Sequence, residues 1–404
     1  MAKLEHYFTR FSEISKFYKE RKGKYAAEKV IPPRQRDLTK FVERVNFLER
    51  DDFQNEMEFE CIDYDFWEKQ KPLLKSLIED IVERPVELNL KKIQDPFKKS
   101  KWGVQPAGKA PLVLFSGGLD SFLSAYENPN AVLVHVNIAK GMHPYAKKSR
   151  EFLPLTQPYF EISFTAYKPP AKAGGVSSCR GLTFICLTSL LIPAFNADRI
   201  IIGENGILIH NPPLFEGAKM TRGLRPTITS KIEQLLCQVY EKKINLEFPN
   251  NSLTKTQVIE KIMKTPPWPE ILPKTSSCFH QQPHRGIKKK IPMCGVCYAC
   301  IVRQLGTLAL GVDESKNYLK NPFKEWDSKG NGLMFVIDLC RLIKLYKKGL
   351  LSVNQANIIL QNKALFERYF DEVLKGLKEA QARKLTGDFV DNEIAELAKL
   401  SPFC

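Results

Sequence analysis

The stretch "PLVLFSGGLDSF" (111–122) ends an apolar run abruptly in a serine, two glycines and an aspartate. Such a run before a glycine-rich turn predicts a buried parallel strand that leads directly into a helix. The main-chain N–H groups at the start of that helix converge on one place, with the positive end of the helix dipole behind them. Glycine lets the main chain approach an anion where a Cβ would block it. We therefore predict a phosphate site whose candidate ligands are Ser116, Gly117, Gly118 and Ser121.

Asp120 lies in the same turn and needs a different role, because a carboxylate repels phosphate. It would cap the helix, or hold Mg²⁺ between phosphate groups. The turn lacks the lysine of the GxxxxGK[ST] loop and does not match GxGxxG. The alternative interpretation is an ordinary strand-to-helix turn with a fortuitous serine.

Short runs rich in β-branched residues alternate with helical patterns after residue 111. The runs "AVLVHVNI" (131–138) and "RIIIG" (199–203) are typical of strands, and the apolar stretch 181–195 is typical of a buried helix. This alternation predicts an α/β fold, a doubly wound parallel sheet with helices on both faces.

Two further modules flank the predicted sheet. Before it, alternation within 56–67 predicts a strand, and the spacing of 72–82, beginning at Pro72, predicts a helix. After it, 333–348 and 357–380 have helical spacing. The predicted domains are an N-terminal α+β module (1–107), the α/β domain (108–312) and a C-terminal helical module (313–404).

The formal net charge of +16 favours an anionic partner, such as a nucleotide, a nucleic acid or an acidic protein surface, without ranking them. No secretion signal is visible, and ten cysteines in a chain this long are not typical of a disulfide scaffold. The longest apolar stretch is shorter than the ~18–20 residues of a membrane span and contains Pro193. We expect a cytoplasmic protein without a membrane partner.

Four cysteines follow the spacing C-x15-C-x2-C-x2-C: Cys278, Cys294, Cys297 and Cys300. Four thiolates are enough for a closed tetrahedral zinc site, and a closed site is structural. His280 and His284 are alternative ligands. A redox or iron–sulfur use of the same thiols is the main alternative chemistry.

The run "SGGLDS" resembles the SGGxDS signature of the N-type ATP pyrophosphatases, the PP-loop family. Together with "CGVCYACIVR" about 175 residues later, it resembles the 7-cyano-7-deazaguanine synthases, PP-loop enzymes with a four-cysteine zinc site. Three stretches between them, 180–187, 200–206 and 252–262, also resemble that family. The similarity covers residues 111–310, about half of the chain.

This resemblance implies a reaction and its cofactors. The carboxylate of 7-carboxy-7-deazaguanine attacks the α-phosphorus of ATP, with Mg²⁺ as the implied metal, and pyrophosphate leaves. Ammonia then displaces AMP from the acyl–adenylate to form the amide, and a second activation of that amide leads to the nitrile. The phosphate ligands implied are Ser116, Gly117, Gly118, Asp120 and Ser121, and the zinc ligands are the four cysteines.

The resemblance also implies a substrate pocket. Adenine is placed near His135 and Asn137, although His135 is equally explained as a buried core histidine. The implied substrate-binding residues are Arg180, Glu204, Asn205 and Arg222, and the implied catalytic residues are Asp120, Lys255 and Arg180. Three of these have alternative explanations: Arg180 as a helix cap or ion-pair partner, Arg222 as a surface loop residue, and Lys255 as a solvated helix residue.

The sequence departs from the stand-alone synthase in two respects. The stretch "ILIHNPPLFEGAKMTRG" replaces the family's tyrosine- and aspartate-containing segment, and both terminal modules are additional. In this the chain resembles the synthase-like proteins of bacterial antiphage operons, the Qat system and type IV CBASS, which implies joining a deazaguanine to the N-terminal amine of a partner protein. The alternatives are a synthase that uses ammonia, a tRNA-modifying PP-loop enzyme, and a non-catalytic nucleotide-binding scaffold of a defence complex.

Overall fold

A five-stranded parallel sheet forms the centre of the protein, which we describe from a computed structural model. The structure describes residues 32–50, 54–95, 108–137, 144–163, 178–215, 221–278, 293–324 and 331–400. The alternative zinc ligands His280 and His284 lie outside these residues.

The described elements in chain order are α1 (Pro33–Arg50), β1 (Glu56–Cys61), α2 (Tyr64–Val82), β2 (Glu87–Lys92), β3 (Leu112–Leu114), α3 (Leu119–Glu127), β4 (Val132–Asn137), α4 (Pro144–Arg150), β5 (Tyr159–Ser163), α5 (Arg180–Ser189), α6 (Ile192–Phe195), β6 (Arg199–Ile202), α7 (Gly206–His210), α8 (Pro226–Tyr240), β7 (Asn245–Glu247), α9 (Lys255–Met263), α10 (Tyr298–Ala309), α11 (Asn331–Lys347), α12 (Val353–Gln361), α13 (Lys363–Ala382) and α14 (Asp388–Ala398). Short 3-10 helices lie at Leu272–Lys274 and Ser315–Asn317.

The strand order of the large sheet is β5-β4-β3-β6-β7, and all its pairs are parallel. On β3, Leu112 packs into a core shared with α5 and α8, whereas Val113 packs into a second core with α3 and α9. Helices therefore cover both faces, which confirms the predicted α/β class and parallel sheet. The chain order reverses at β3, so a crevice is expected outside the carboxyl ends of β3 and β6.

The N-terminal elements form a β–α–β unit, with β1 and β2 paired in parallel. Met57, Phe59 and Cys61 of β1 are buried, as the alternating pattern predicted. The helix start predicted at Pro72 is wrong, because α2 begins at Tyr64 and contains Pro72. Pro72 and Glu68, the residue whose carbonyl loses its helical partner, are both exposed.

The C-terminal helices pack on α10, with which they share one core. α11 matches the predicted helix and is followed by Gly349, whose φ is +66°. The pattern 357–380 is divided at Asn362 into α12 and α13, and the stretch 181–195 is likewise divided into α5 and α6. Every helix in the described ranges is too short or too polar to cross a membrane.

Candidate functional site

A pocket lies at the carboxyl ends of β3, β4 and β6, where the reversal of strand order predicts a crevice. Eight of the residues predicted to bind phosphate, adenine or substrate line it: Ser116, Gly118, Asp120, Ser121, His135, Arg180, Glu204 and Lys255. Four others lie outside its described lining: Gly117, Asn137, Asn205 and Arg222. The structure thus brings together side chains that are as far apart in sequence as Ser116 and Lys255.

The glycine turn, residues 116–121, is held by its own serines. Ser121 Oγ accepts from the N–H of Ser116 at 3.2 Å and donates to the carbonyl of Gly118 at 3.1 Å. Ser116 Oγ lies 3.0 Å from Ser121 Oγ and accepts from the N–H of Gly118 at 3.3 Å. α3 begins at Leu119, so its first N–H groups, which have no intrahelical partner, lie in this turn.

Asp120 forms a buried ion pair in the pocket. Its carboxylate bonds to Lys255 Nζ, and it also accepts from the amide of Asn205 at 3.2 Å. The N-cap of α3 is Gly118, and Asp120 lies inside the first turn of the helix, so the capping role considered for Asp120 is wrong. Lys255 is only 2% exposed, which excludes the solvated-helix explanation. It is the first residue of α9, a helix whose N-terminus has a capping box formed by Thr254 and Gln257.

Glu204 lies two residues after the end of β6, close to charged groups of the pocket. Burial raises the pKa of Glu204 to about 7, and the carboxylate of Asp120 adds to this rise. The cations of Lys255 and Arg180 oppose it. Burial lowers the pKa of Arg180, and Glu204 opposes that effect. Two carboxyl groups, of Glu204 and Asp120, and two cationic side chains, of Lys255 and Arg180, therefore interact in the pocket.

His135 is both a core histidine and a pocket residue. It is 3% exposed, and its Nδ1 lies 2.9 Å from the carbonyl oxygen of Phe115, at the end of the neighbouring strand. Asn137 lies two residues further along β4, where it pairs in register with Ser163.

Asn205 and Arg222 lie outside the pocket lining and bond to neighbouring residues. Asn205 is buried, caps α7 by accepting from the N–H of Leu208 at 3.3 Å, and donates to Asp120. Arg222 Nη1 pairs with Glu83 of the N-terminal unit at 2.9 Å, and its side chain is 14% exposed. Arg222 is therefore not a solvated surface residue.

The four predicted cysteines are buried together, and their sulfur atoms all lie within 4.8 Å of one another. Cys300 Sγ lies 3.4 Å from Cys297 Sγ and 3.9 Å from Cys294 Sγ. Zinc–sulfur bonds of about 2.3 Å in a tetrahedron place sulfurs ~3.8 Å apart, so the cluster fits a metal ion such as zinc. Cys297 and Cys300 also begin α10, whose dipole favours thiolate charge.

One short segment links the cysteine cluster to the glycine turn. Ser276 donates its main-chain N–H to the carbonyl of Gly117 at 3.0 Å, and Ser276, Ser277 and Cys278 all line the pocket. Fully buried Arg303 fixes the start of this segment by bonding to Thr275 Oγ1 at 3.1 Å. These serines and Arg303 were not predicted from the sequence, although Arg303 follows Cys300 by three residues in the "CYACIVR" run.

In comparisons with known proteins, no model of a protein family matches the chain, and no curated protein matches it.

Proposed function

We propose that the chain is an ATP-dependent ligase of the PP-loop type that adenylates the carboxylate of 7-carboxy-7-deazaguanine and transfers the acyl group to an amine. One observation carries the proposal. The glycine turn, the buried Asp120–Lys255 pair and Arg180 line one pocket at the reversal of strand order. An anion-binding turn beside fixed cations suits a reaction in which positioning and charge neutralisation supply most of the rate.

The proposed roles follow from these positions. N–H groups of the turn, with Ser116 and Ser121, would bind the pyrophosphate that leaves. Arg180 and Lys255 would orient the substrate carboxylate against the α-phosphorus. Asp120 would hold Mg²⁺, which when bound neutralises phosphate charge. Glu204 would accept the proton that the amine loses as AMP leaves the acyl carbon.

The proposed acceptor is the amine of a partner protein, as the resemblance to antiphage synthase-like proteins implies. The two flanking modules support this proposal, because ammonia as acceptor requires no docking surface. The proposed occupant of the cysteine cluster is zinc in a structural role, which the four-sulfur geometry favours.

The test measures AMP and pyrophosphate made by the purified full-length protein from ATP, Mg²⁺ and 7-carboxy-7-deazaguanine. Lys255→Met should slow pyrophosphate release at least about 100-fold, because it removes a buried cation from the reacting centre. Lys261→Met is the matched control, since Lys261 lies on the same helix in an exposed pair with Glu127 and should leave the rate unchanged.

Release of AMP that does not depend on the acid would contradict the proposal. A nitrile base formed with ammonia alone would assign the acceptor to ammonia, whereas a mass gain on a partner protein would support the protein amine. Turnover that requires tRNA and falls steeply with salt would favour the tRNA-modifying alternative.

A further inference from the structure

One wall of the pocket is built from two chain segments, 178–181 and 221–224, which we call the wall. Arg180, Thr221 and Leu224 of the wall line the pocket. The two segments touch through main chain, because a Cβ on Gly181 would lie 2.5 Å from the carbonyl carbon of Gly223. Neither segment can therefore move toward the other.

The first wall segment is held by Glu49, near the end of α1. The Glu49 carboxylate accepts from the main-chain N–H of Ser178, and Cys179 Sγ donates to it at 2.8 Å. One turn earlier on α1, the buried amide of Asn46 donates to the hydroxyl of Thr183 on α5 at 2.8 Å. Charge-assisted and buried hydrogen bonds of this kind are costly to break. The position of α1 thus fixes the start of α5, where Arg180 lies.

The second wall segment is held by Glu83, which directly follows α2. Glu83 Oε2 lies 2.9 Å from Arg222 Nη1, and Arg222 also donates to the carbonyl of Ile81 at 3.5 Å. Burial lowers the pKa of Arg222, while Glu83 and then Glu49 oppose that effect. Glu83 and Glu49 therefore both act on the guanidinium group of Arg222, a residue of the wall.

We propose that the N-terminal unit supports the substrate pocket from outside its lining. In this proposal Glu49 and Glu83 are positioning residues that hold the wall in place for the acid substrate. The inference rests on the proposed function. Neither glutamate lines the pocket, so each acts through the wall: Glu49 through the segment that carries Arg180, and Glu83 through Arg222 and its neighbours. The proposed function places ATP at the glycine turn, so its binding should not depend on these contacts.

Hydrogen–deuterium exchange of the full-length protein tests the structural part without any substrate. Glu49→Gln should speed exchange of amides 178–184, and Glu83→Gln that of amides 221–225, each by roughly tenfold, because a charge-assisted hydrogen bond is lost. The matched control is Asp80→Asn. Asp80 lies on α2 and pairs with Lys231 of α8 at 2.6 Å, so this variant also breaks an ion pair of the N-terminal unit, but not one to the wall.

Unchanged exchange at the wall, or an equal increase in the Asp80→Asn control, would overturn the proposal. This readout decides it even if the wild-type protein makes no AMP and pyrophosphate, an outcome that would refute the proposed function alone. Exchange at β3 and β4 should stay slow in all three variants, which separates a loosened wall from general unfolding.

Kinetics then test positioning against a merely structural role. Glu49→Gln and Glu83→Gln should raise the KM for 7-carboxy-7-deazaguanine roughly tenfold, and Glu49→Gln should also lower kcat because it loosens the segment that carries Arg180, while the KM for ATP stays near wild type. The double variant Glu83→Arg with Arg222→Glu, which reverses the ion pair, should recover most of the lost affinity for the acid. Equal increases in both KM values, or no recovery in the reversed pair, would contradict the assignment.

Discussion

Glu204 is the pocket carboxyl group that changes its charge near neutral pH. Its pKa is raised from 4.5 to about 7, so the folded protein binds this proton more tightly than the unfolded chain does. The unfolding free energy should therefore fall as the pH rises from about 4.5 to about 7. The glutamine of Glu204→Gln cannot ionise, so the variant does not lose this stability. Its unfolding free energy relative to wild type should therefore rise across this window, by at most about 3 kcal/mol.

Urea unfolding of both proteins between pH 5 and pH 8 measures this gain. Glu270→Gln, at an exposed position outside the pocket, serves as the control and should follow wild type at each pH. If the unfolding free energies of Glu204→Gln and wild type changed in parallel with pH, Glu204 would not be the group that binds its proton more tightly in the folded protein.

At the residue scale, the sequence predicts those groups whose partners are nearby in the chain. The glycine turn and the three closely spaced cysteines belong to this class, because one short stretch contains each pattern. The pair between Asp120 and Lys255 joins residues 135 positions apart, so the sequence offered both as candidates but not their contact. Glu49 and Glu83 gave no signal, since a glutamate at the end of an amphipathic helix is usually solvated.

At the element scale, the glycine turn depends on its contact with α4. Gly117 has a φ of +81°, and a Cβ there would lie 2.6 Å from the carbonyl carbon of Tyr145. Gly117→Ala should therefore lower the unfolding free energy by more than the ~1 kcal/mol that an unfavourable φ costs, and should weaken ATP binding. Gly311→Ala is the control for φ alone, because Gly311 has a φ of +74° with nothing within 4 Å of the added Cβ.

Denaturant unfolding and ATP titration of the two variants separate the effects. Equal losses of stability in both would show that conformation, rather than contact with α4, requires glycine in the turn.

Element boundaries were less predictable than element types. The buried strand before the turn and the alternating strand β1 follow directly from their apolar patterns. The start of α2 did not, because a proline inside a helix is tolerated at an exposed position, as at Pro72. The break at Asn362 also lacks a glycine or proline signal, so the helical spacing continues across it.

At the scale of the whole molecule, the flanking modules share their cores with the central α/β unit. Residues of α1, β1 and α2 pack with one face of the sheet, and α11, α13 and α14 pack with α10. The sequence did not indicate that these cores are shared. An amphipathic pattern identifies which face of a helix is buried, but not the element against which that face packs. The division at residues 107 and 312 stays a prediction.

The cysteine cluster is linked both to the glycine turn and to α10. Metal bound there should therefore stabilise more than the loops that carry the cysteines. Cys278 lies two residues after Ser276, which bonds to Gly117, and Cys300 lies on the helix that carries the C-terminal core. We expect about one zinc ion per chain, as in closed four-cysteine sites. Its removal by a chelator, or Cys297→Ser, should lower the unfolding free energy by at least about 3 kcal/mol, because structural zinc contributes folding energy directly.

Metal analysis combined with thermal unfolding checks this expectation, with Cys237→Ser as the control outside the cluster. Since the cluster contacts both the turn segment and α10, the sheet and the C-terminal helices should lose stability together, in one transition. Loss of the C-terminal helices alone would show that the bond from Ser276 to Gly117 does not couple the metal to the turn. Full stability without metal would show that the buried thiols pack as ordinary core residues.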